Sequence, residues 1–262
     1  MTLSFSEDHI ATSFSSAADS YTELAVPQKR MAERLAALLP THLIDGAILD
    51  LCCGTGLLTE MLHRAYPSAA IHGLDIAPGM IDLCRKRWAG CDSLSFCVEN
   101  AETFTPAEPY AAIASNCGFQ WFEDPTQAVA NLAAGLKPDG VLAISVPVAG
   151  SIPELRQSYQ HVVGRPMRGI EFLPADRYVE MIDAAGLHCK TVHEDRAVGD
   201  FPSARAALEY FKYTGTTFHH HDEYTPLSVA ETRQLLRYYE ETFARAGVVP
   251  VTYEMLYVIA ER

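Results

Sequence analysis

The stretch D-L-C-C-G-T-G, Asp50 to Gly56, constrains this chain more than any other. It follows the short apolar run A-I-L-D-L-C from Ala47 and precedes a segment that reads as a helix to about Tyr66. Gly54 and Gly56 allow the backbone to turn tightly and to approach a ligand closely. A helix that begins at such a turn presents unpaired amides to a bound group. The Asp50 carboxylate, ahead of the glycines, can accept a hydrogen bond from an ammonium. A strand, a glycine turn and a helix in that order open a βαβ unit, so a mostly parallel sheet is expected.

The alternation continues along the chain. A-I-H-G-L-D-I from Ala70 reads as a second strand, followed by a helix with Pro78 in its first turn that runs to about Trp88. L-S-F-C-V from Leu94 is a third strand and Y-A-A-I-A-S-N from Tyr110 a fourth. Asp124 and Pro125 start a helix, with a capping oxygen followed by a residue that has no amide proton. V-L-A-I-S-V from Val141 is a fifth strand, entered through a turn at K-P-D-G. Strands this uniformly apolar are covered on both faces.

After Gly150 the rhythm breaks. Helices are expected around Pro153 to Val163, Ala175 to Ala185 and Ser203 to Tyr213, with one strand, L-H-C-K-T-V-H, from Leu187. Ser228 and Glu231 predict a capping box on a helix that ends near Gly247. The chain closes on the alternating strand V-T-Y-E-M-L-Y-V-I-A. At the other end, the first 20 residues are polar and rich in Ser and Ala, with Phe5, Phe14 and Tyr21 as anchors. They are expected to form a flap, and a helix is expected from Thr22 to Leu39, stopped by Pro40. Residues 1–262 thus form one domain, with a helical flap over about 1–40 and a lid insertion over about 151–225.

Three signals in order identify the ligand class. The first is the glycine loop, including Cys52. The second is Asp75 in G-L-D-I-A-P-G-M, at the end of the second strand and about 20 residues beyond the glycines, where a carboxylate can take both ribose hydroxyls. The third is E-N-A-E-T-F from Glu99, which puts Asn100 and Ala101 where an adenine edge would lie. A dinucleotide fingerprint would need a third glycine, but that position is Thr59. The set favours S-adenosyl-L-methionine over NAD. Ile76 and Asn116, at the ends of the second and fourth strands, and Met80, in the helix after the second strand, complete the expected cofactor set.

The formal net charge of -13 argues against broad binding to phosphate backbones or to an anionic membrane surface. The seven cysteines are odd in number and include no C-x-x-C pair, which suits reduced thiols in a cytoplasm and no zinc site. No leader sequence is visible at the N-terminus. The expectations are therefore a cytoplasmic location, no nucleic acid, no membrane and no metal.

With these motifs in place, the sequence resembles the class I methyltransferases, and among them the malonyl-[acyl-carrier protein] O-methyltransferases of biotin synthesis. The resemblance rests on F-S-S-A-A-D-S-Y (Phe14 to Tyr21), S-N-C-G-F-Q-W-F (Ser115 to Phe122), G-S-I-P-E-L-R (Gly150 to Arg156), F-L-P (Phe172 to Pro174), F-K-Y-T-G-T-T (Phe211 to Thr217) and V-T-Y (Val251 to Tyr253). The chain departs from the family at Cys52 and Cys53, where smaller residues are usual.

The resemblance implies a Rossmann-like α/β fold with a mostly parallel seven-stranded sheet, helices on both faces and a helical lid. It implies methyl transfer to the free carboxylate of malonyl carried by acyl carrier protein or CoA. Tyr21, Gln120, Trp121 and Arg156 become the expected active-site residues. Arg165, Arg168, Lys212 and His219 become candidates for holding the substrate or the carrier protein. Other readings stay open: a methyltransferase for another small carboxylate such as aconitate, a quinone-type C-methyltransferase, and a non-catalytic scaffold that binds S-adenosylmethionine.

Overall fold

The computed structural model describes residues 7–167, 169–215 and 226–262. Two helices, α1 (Glu7–Leu24) and α2 (Val26–Leu38), lead into the alternating unit β1 (Ile48–Leu51), α3 (Leu57–Ala65), β2 (Ile71–Asp75), α4 (Pro78–Arg87), β3 (Leu94–Val98) and β4 (Tyr110–Asn116). A short 3₁₀ turn, Phe119–Trp121, precedes α5 (Pro125–Ala134) and β5 (Leu136–Pro147). The remainder is α6 (Pro153–Val163), α7 (Ala175–Ala184), β6 (His188–Phe201), α8 (Ala204–Tyr213), α9 (Val229–Phe243) and β7 (Val249–Glu261).

The strands form one sheet in the order β3-β2-β1-β4-β5-β7-β6. Pairing from β3 to β5 is parallel, and β7 runs antiparallel to both β5 and β6. The chain works outward from β1 to β3, then returns to β4 on the other side of β1. That reversal opens a crevice at the carboxyl ends of β1 and β4, where open α/β sheets bind their ligands.

Both faces of the sheet are covered, as the apolar strands require. On one face, Ile48, Ile71, Ala112 and Val141 pack with Met31 and Leu35 of α2, Leu58 and Leu62 of α3, Leu155 of α6 and Tyr239 of α9. On the other, Leu49, Ile113, Leu142 and Val258 pack with Val129 and Leu132 of α5 and Tyr178 and Ile182 of α7. The seven-stranded Rossmann-like architecture agrees with the sequence reading.

Four local expectations are corrected. The helix expected from Thr22 to Leu39 is two helices, because Pro27 in the first turn of α2 cannot donate back into α1 and the chain breaks at Ala25. K-P-D-G is an irregularity within β5, with Asp139 at a φ of 61° and a register shift between Tyr110 and Ala112. β6 is longer than the stretch seen from Leu187, because its pairing with β7 continues to Phe201. The helix after Ser228 ends at Phe243, and Gly247, at a φ of 83°, serves the turn into β7. The Ser228–Glu231 capping box forms as expected.

Candidate active site

A cavity of about 260 Å³ lies at the carboxyl ends of β1, β2 and β4. Of the expected residues, Tyr21, Cys52, Gly54, Asp75, Ile76, Met80, Asn100, Ala101, Asn116, Gln120 and Trp121 line it. These come from five separate stretches of sequence, and the strand order brings them together.

Asp75 organises the cofactor side. Its Oδ2 accepts the Gly54 amide at 2.8 Å and its Oδ1 accepts the Ala77 amide at 2.9 Å. A carboxylate has about four acceptor positions, so two remain for hydroxyl groups in the cavity. Burial pushes this carboxyl up, while the amides of Ala77, Gly54 and Ile76 pull it down. The two loop glycines have different duties. Gly54, at a φ of 55°, faces the cavity, and its nearest side chain is Tyr21. Gly56 lies against protein instead: a Cβ there would come within 2.3 Å of the Trp88 ring. Its contribution to the site is the shape of the turn.

Asp50 is buried behind the loop and does not line the cavity. Its Oδ2 accepts from the Thr59 hydroxyl, and its Oδ1 is buried with no hydrogen-bond partner. Burial raises its pKa to about 7, opposed by the Thr59 hydrogen bond and reinforced by the charge of Asp75. An unpaired buried acceptor is costly, and one beside this loop suits a cationic donor. Together with the free acceptor positions of Asp75, it fits the ammonium and ribose of S-adenosylmethionine.

Helix α1 roofs the cavity. The Thr22 hydroxyl donates to the Thr55 hydroxyl at 3.0 Å, the Gly79 amide donates to the Ser15 hydroxyl at 3.2 Å, and the Asn100 amide donates to Glu7 at 2.6 Å. Phe14 meets Trp121 edge to face at 5.4 Å between ring centroids. The flap expectation of the sequence becomes a helix pinned at each end to a different loop of the site.

The far wall is held internally. The Asn116 amide donates to the Gln28 carbonyl at 3.1 Å, and its Oδ1 accepts the Ser145 hydroxyl at 2.6 Å. Gln120 donates to the Cys117 carbonyl at 2.6 Å, leaving its Oε1 buried and unpartnered. Glu102 receives the amides of Glu123 and Asp124, which anchors the loop carrying Gln120 and Trp121. Burial pushes the Cys52 thiol well up and that of Cys117 up to about 12. Both remain thiols at neutral pH and do not compete as nucleophiles.

Several expected residues lie elsewhere. Arg156 donates to the Ile170 carbonyl at 2.8 Å and sits 5.6 Å over the Phe172 ring, outside the cavity lining. Burial lowers its pKa, partly offset by Glu171. Arg165 is exposed near Glu231, and Lys212 is exposed over the Tyr213 ring. Arg168 and His219 fall outside the described residues. Conversely, Phe14, Gln28 and Glu102 line the cavity without having been singled out for it. Glu102 was within reach, since it belongs to the same E-N-A-E motif as Asn100. Gln28 carried no such signal.

No described helix is long and apolar enough to cross a membrane, and no described cluster of side chains could hold a metal ion.

Comparison with known proteins agrees with this geometry. Residues 48–140 match the family described as a methyltransferase domain. The malonyl-[acyl-carrier protein] O-methyltransferase of Anoxybacillus flavithermus is 31% identical over 253 residues, covering 94% of this chain and 93% of the relative. The protein of that name from Acetivibrio thermocellus is 30% identical over 260 residues, covering 95% of this chain and 92% of the relative. Among solved structures, the YcgJ protein of Bacillus subtilis superposes with a TM-score of 0.60 at 14% identity, covering 90% of this chain and 97% of its own. Geranyl diphosphate C-methyltransferase from Streptomyces coelicolor, solved with S-adenosyl-L-homocysteine, gives a TM-score of 0.55 at 16% identity over 89% of this chain and 78% of its own. At those identities the structural likeness speaks for the fold alone.

Proposed function

Because the chain belongs to the malonyl-[acyl-carrier protein] O-methyltransferase family, we propose that it methylates the free carboxylate of a malonyl thioester carried by acyl carrier protein or CoA. The observation that carries this reading is the cavity at the β1/β4 reversal, which joins the Asp75 carboxylate to a wall of Tyr21, Gln120 and Trp121. S-adenosylmethionine, when bound, supplies an electrophilic methyl group on a sulfonium centre. Asp75 is assigned to its ribose, Asp50 to its ammonium, and Ala101 with Asn100 to the adenine edge.

The chain's remaining duties are to exclude water and to align the acceptor. No general base is needed, since a carboxylate is already ionised at neutral pH. The charges of acceptor and donor vanish together as the ester forms, so a dry cavity favours the reaction. Alignment of the reacting atoms supplies several kcal/mol more. Helix α1 and the Phe14–Trp121 contact provide the roof that both effects require.

The test is mass spectrometry of the product. A methyl ester on the terminal carboxylate of malonyl, with no reaction of an acetyl thioester, is expected. Methylation at carbon, or equal turnover of acetyl and malonyl thioesters, would overturn the reading and leave the fold and cofactor site standing.

A further inference from the structure

Beyond the cofactor cavity lies a second chamber of about 20 Å³. The two share Gln28, Cys117, Gln120 and Trp121 as walls. The chamber is lined by apolar side chains, Ile170 and Phe172 among them, and by Tyr253. A space of about 10–15 Å³ suffices for one water, so this one takes a single small polar group.

The polar end of the chamber is a chain of uncharged groups. The Tyr210 hydroxyl donates to Gln28 Oε1 at 3.0 Å and accepts from Gln28 Nε2 at 2.7 Å. The Tyr253 hydroxyl lies 3.2 Å from that of Tyr210. With the single proton of Tyr210 committed to Gln28, Tyr253 is the donor across the 3.2 Å contact. Because Tyr210 also accepts from Gln28, the Tyr253 hydroxyl can turn its proton from Tyr210 to a group in the chamber. Burial pushes both phenols up, so both stay protonated at neutral pH. Among the described residues, no Lys, Arg or His lines either the cavity or the chamber. The unpartnered Gln120 Oε1 in the shared wall suits a donor and would repel a carboxylate, which leaves the Tyr253 end for an anionic group.

We propose that this chamber is the subsite for the acceptor's terminal carboxyl group, with the Tyr253 hydroxyl as the donor that orients it. The assignment rests on the malonyl reading above. In the reaction, a carboxylate oxygen bonds to the methyl carbon as the carbon–sulfur bond breaks. The electron pair of that bond stays on sulfur, and no proton moves. Charge is lost on the way to the transition state, so an apolar chamber with one neutral donor disfavours the ionic ground state more than the transition state. A cation in the same place would stabilise the ground state instead. The product ester, neutral and small, suits the apolar walls.

The experiment compares Tyr253→Phe and Ile170→Phe with the unaltered chain, using malonyl-CoA and malonyl-carrier protein. Tyr253→Phe should raise the KM for both malonyl substrates about tenfold, while the KM for S-adenosylmethionine stays within about twofold and kcat within about threefold. Ile170→Phe, which fills the chamber, should abolish malonyl turnover while calorimetry still detects S-adenosylhomocysteine binding. An unchanged malonyl KM in Tyr253→Phe, a parallel rise in both KM values, or normal malonyl turnover by Ile170→Phe overturns the subsite. If the unaltered chain esterifies a different small acid and leaves malonyl untouched, the malonyl reading fails. The two variants then test the chamber on that acid by the same criteria.

Discussion

At the residue scale, two aspartates of the cofactor site differ in how the chain supports them. Asp75 is held by backbone amides and keeps acceptor capacity for a ligand. Asp75→Ala should weaken S-adenosylmethionine binding by roughly 1.5–3 kcal/mol, the scale of a charge-assisted hydrogen bond lost from a buried site; calorimetry with an unchanged affinity would refute the assignment. Asp50 is the more unusual group, with a carboxyl raised by burial to about 7 and one oxygen unpartnered. Its folded pKa lies above its unfolded one. Between pH of about 4 and 7 the folded chain therefore keeps a proton that the unfolded chain releases, and the contribution of Asp50 to stability falls as pH rises through that window. The loss is at most about 4 kcal/mol. Chemical denaturation of the ligand-free protein at pH 5 and pH 8 should show a smaller pH-dependent loss for Asp50→Asn than for the unaltered chain, with weaker cofactor binding in the variant. The same pH dependence in both would exclude Asp50 as the titrating group. The sequence displayed both aspartates by their place at strand ends. It could not display that one is solvated by the backbone and the other is left short of a donor, because that depends on Thr59 and on the neighbouring loop.

At the element scale, glycines set where helices α1 and α3 sit. A Cβ on Gly79 would stand 2.8 Å from the Ser15 carbonyl oxygen, and backbone cannot yield as a flexible side chain can. Gly79→Ala should push α1 off the start of α4. Since α1 buries only Ala17 and Ala18, the fold should survive while cofactor affinity falls about tenfold, or about 1.4 kcal/mol. Gly56→Ala combines a φ of 78° with a clash against Trp88 and should cost about 1–3 kcal/mol in thermal or denaturant unfolding. Gly90, at a φ of 87° with nothing within 4 Å, is the control, and its alanine variant should lose only the backbone cost of about 1 kcal/mol. Equal losses at Gly56 and Gly90 would show that the Trp88 contact is unimportant. Element type was legible in the apolar runs and in the proline and capping signals. Element ends were less so: the break at Ala25, the irregular K-P-D-G segment and the length of β6 depend on which strand or helix lies alongside.

At the scale of the whole molecule, the net charge of -13 sets how a charged substrate arrives. Hydrogen bonds from Ser228 hold the Glu231 carboxyl low, and the nearby Arg165 charge adds to that, so Arg165 belongs to a local balance of charge at the start of α9. For the proposed carrier-protein substrate, Arg165→Glu should lower kcat/KM and flatten its dependence on salt, with a smaller effect on malonyl-CoA. Equal losses on both substrates would rule out a docking role. The sequence by itself determined the α/β class, the order of the strands along the chain and the cofactor loops, because hydrophobic period and turn chemistry are local. Only the tertiary structure decided that Gly56 packs on protein while Gly54 faces the cavity, that Arg156 turns to the Ile170 carbonyl, and that Gln28, Tyr210 and Tyr253 meet in one buried chain. Those three residues lie far apart in sequence, and the physical reason for their meeting is the insertion of β7 between β5 and β6, with α2 packed on β5 and β6 and α8 on β6 and β7. That arrangement closes α1, α2, α8 and β7 around a site that no local pattern encodes.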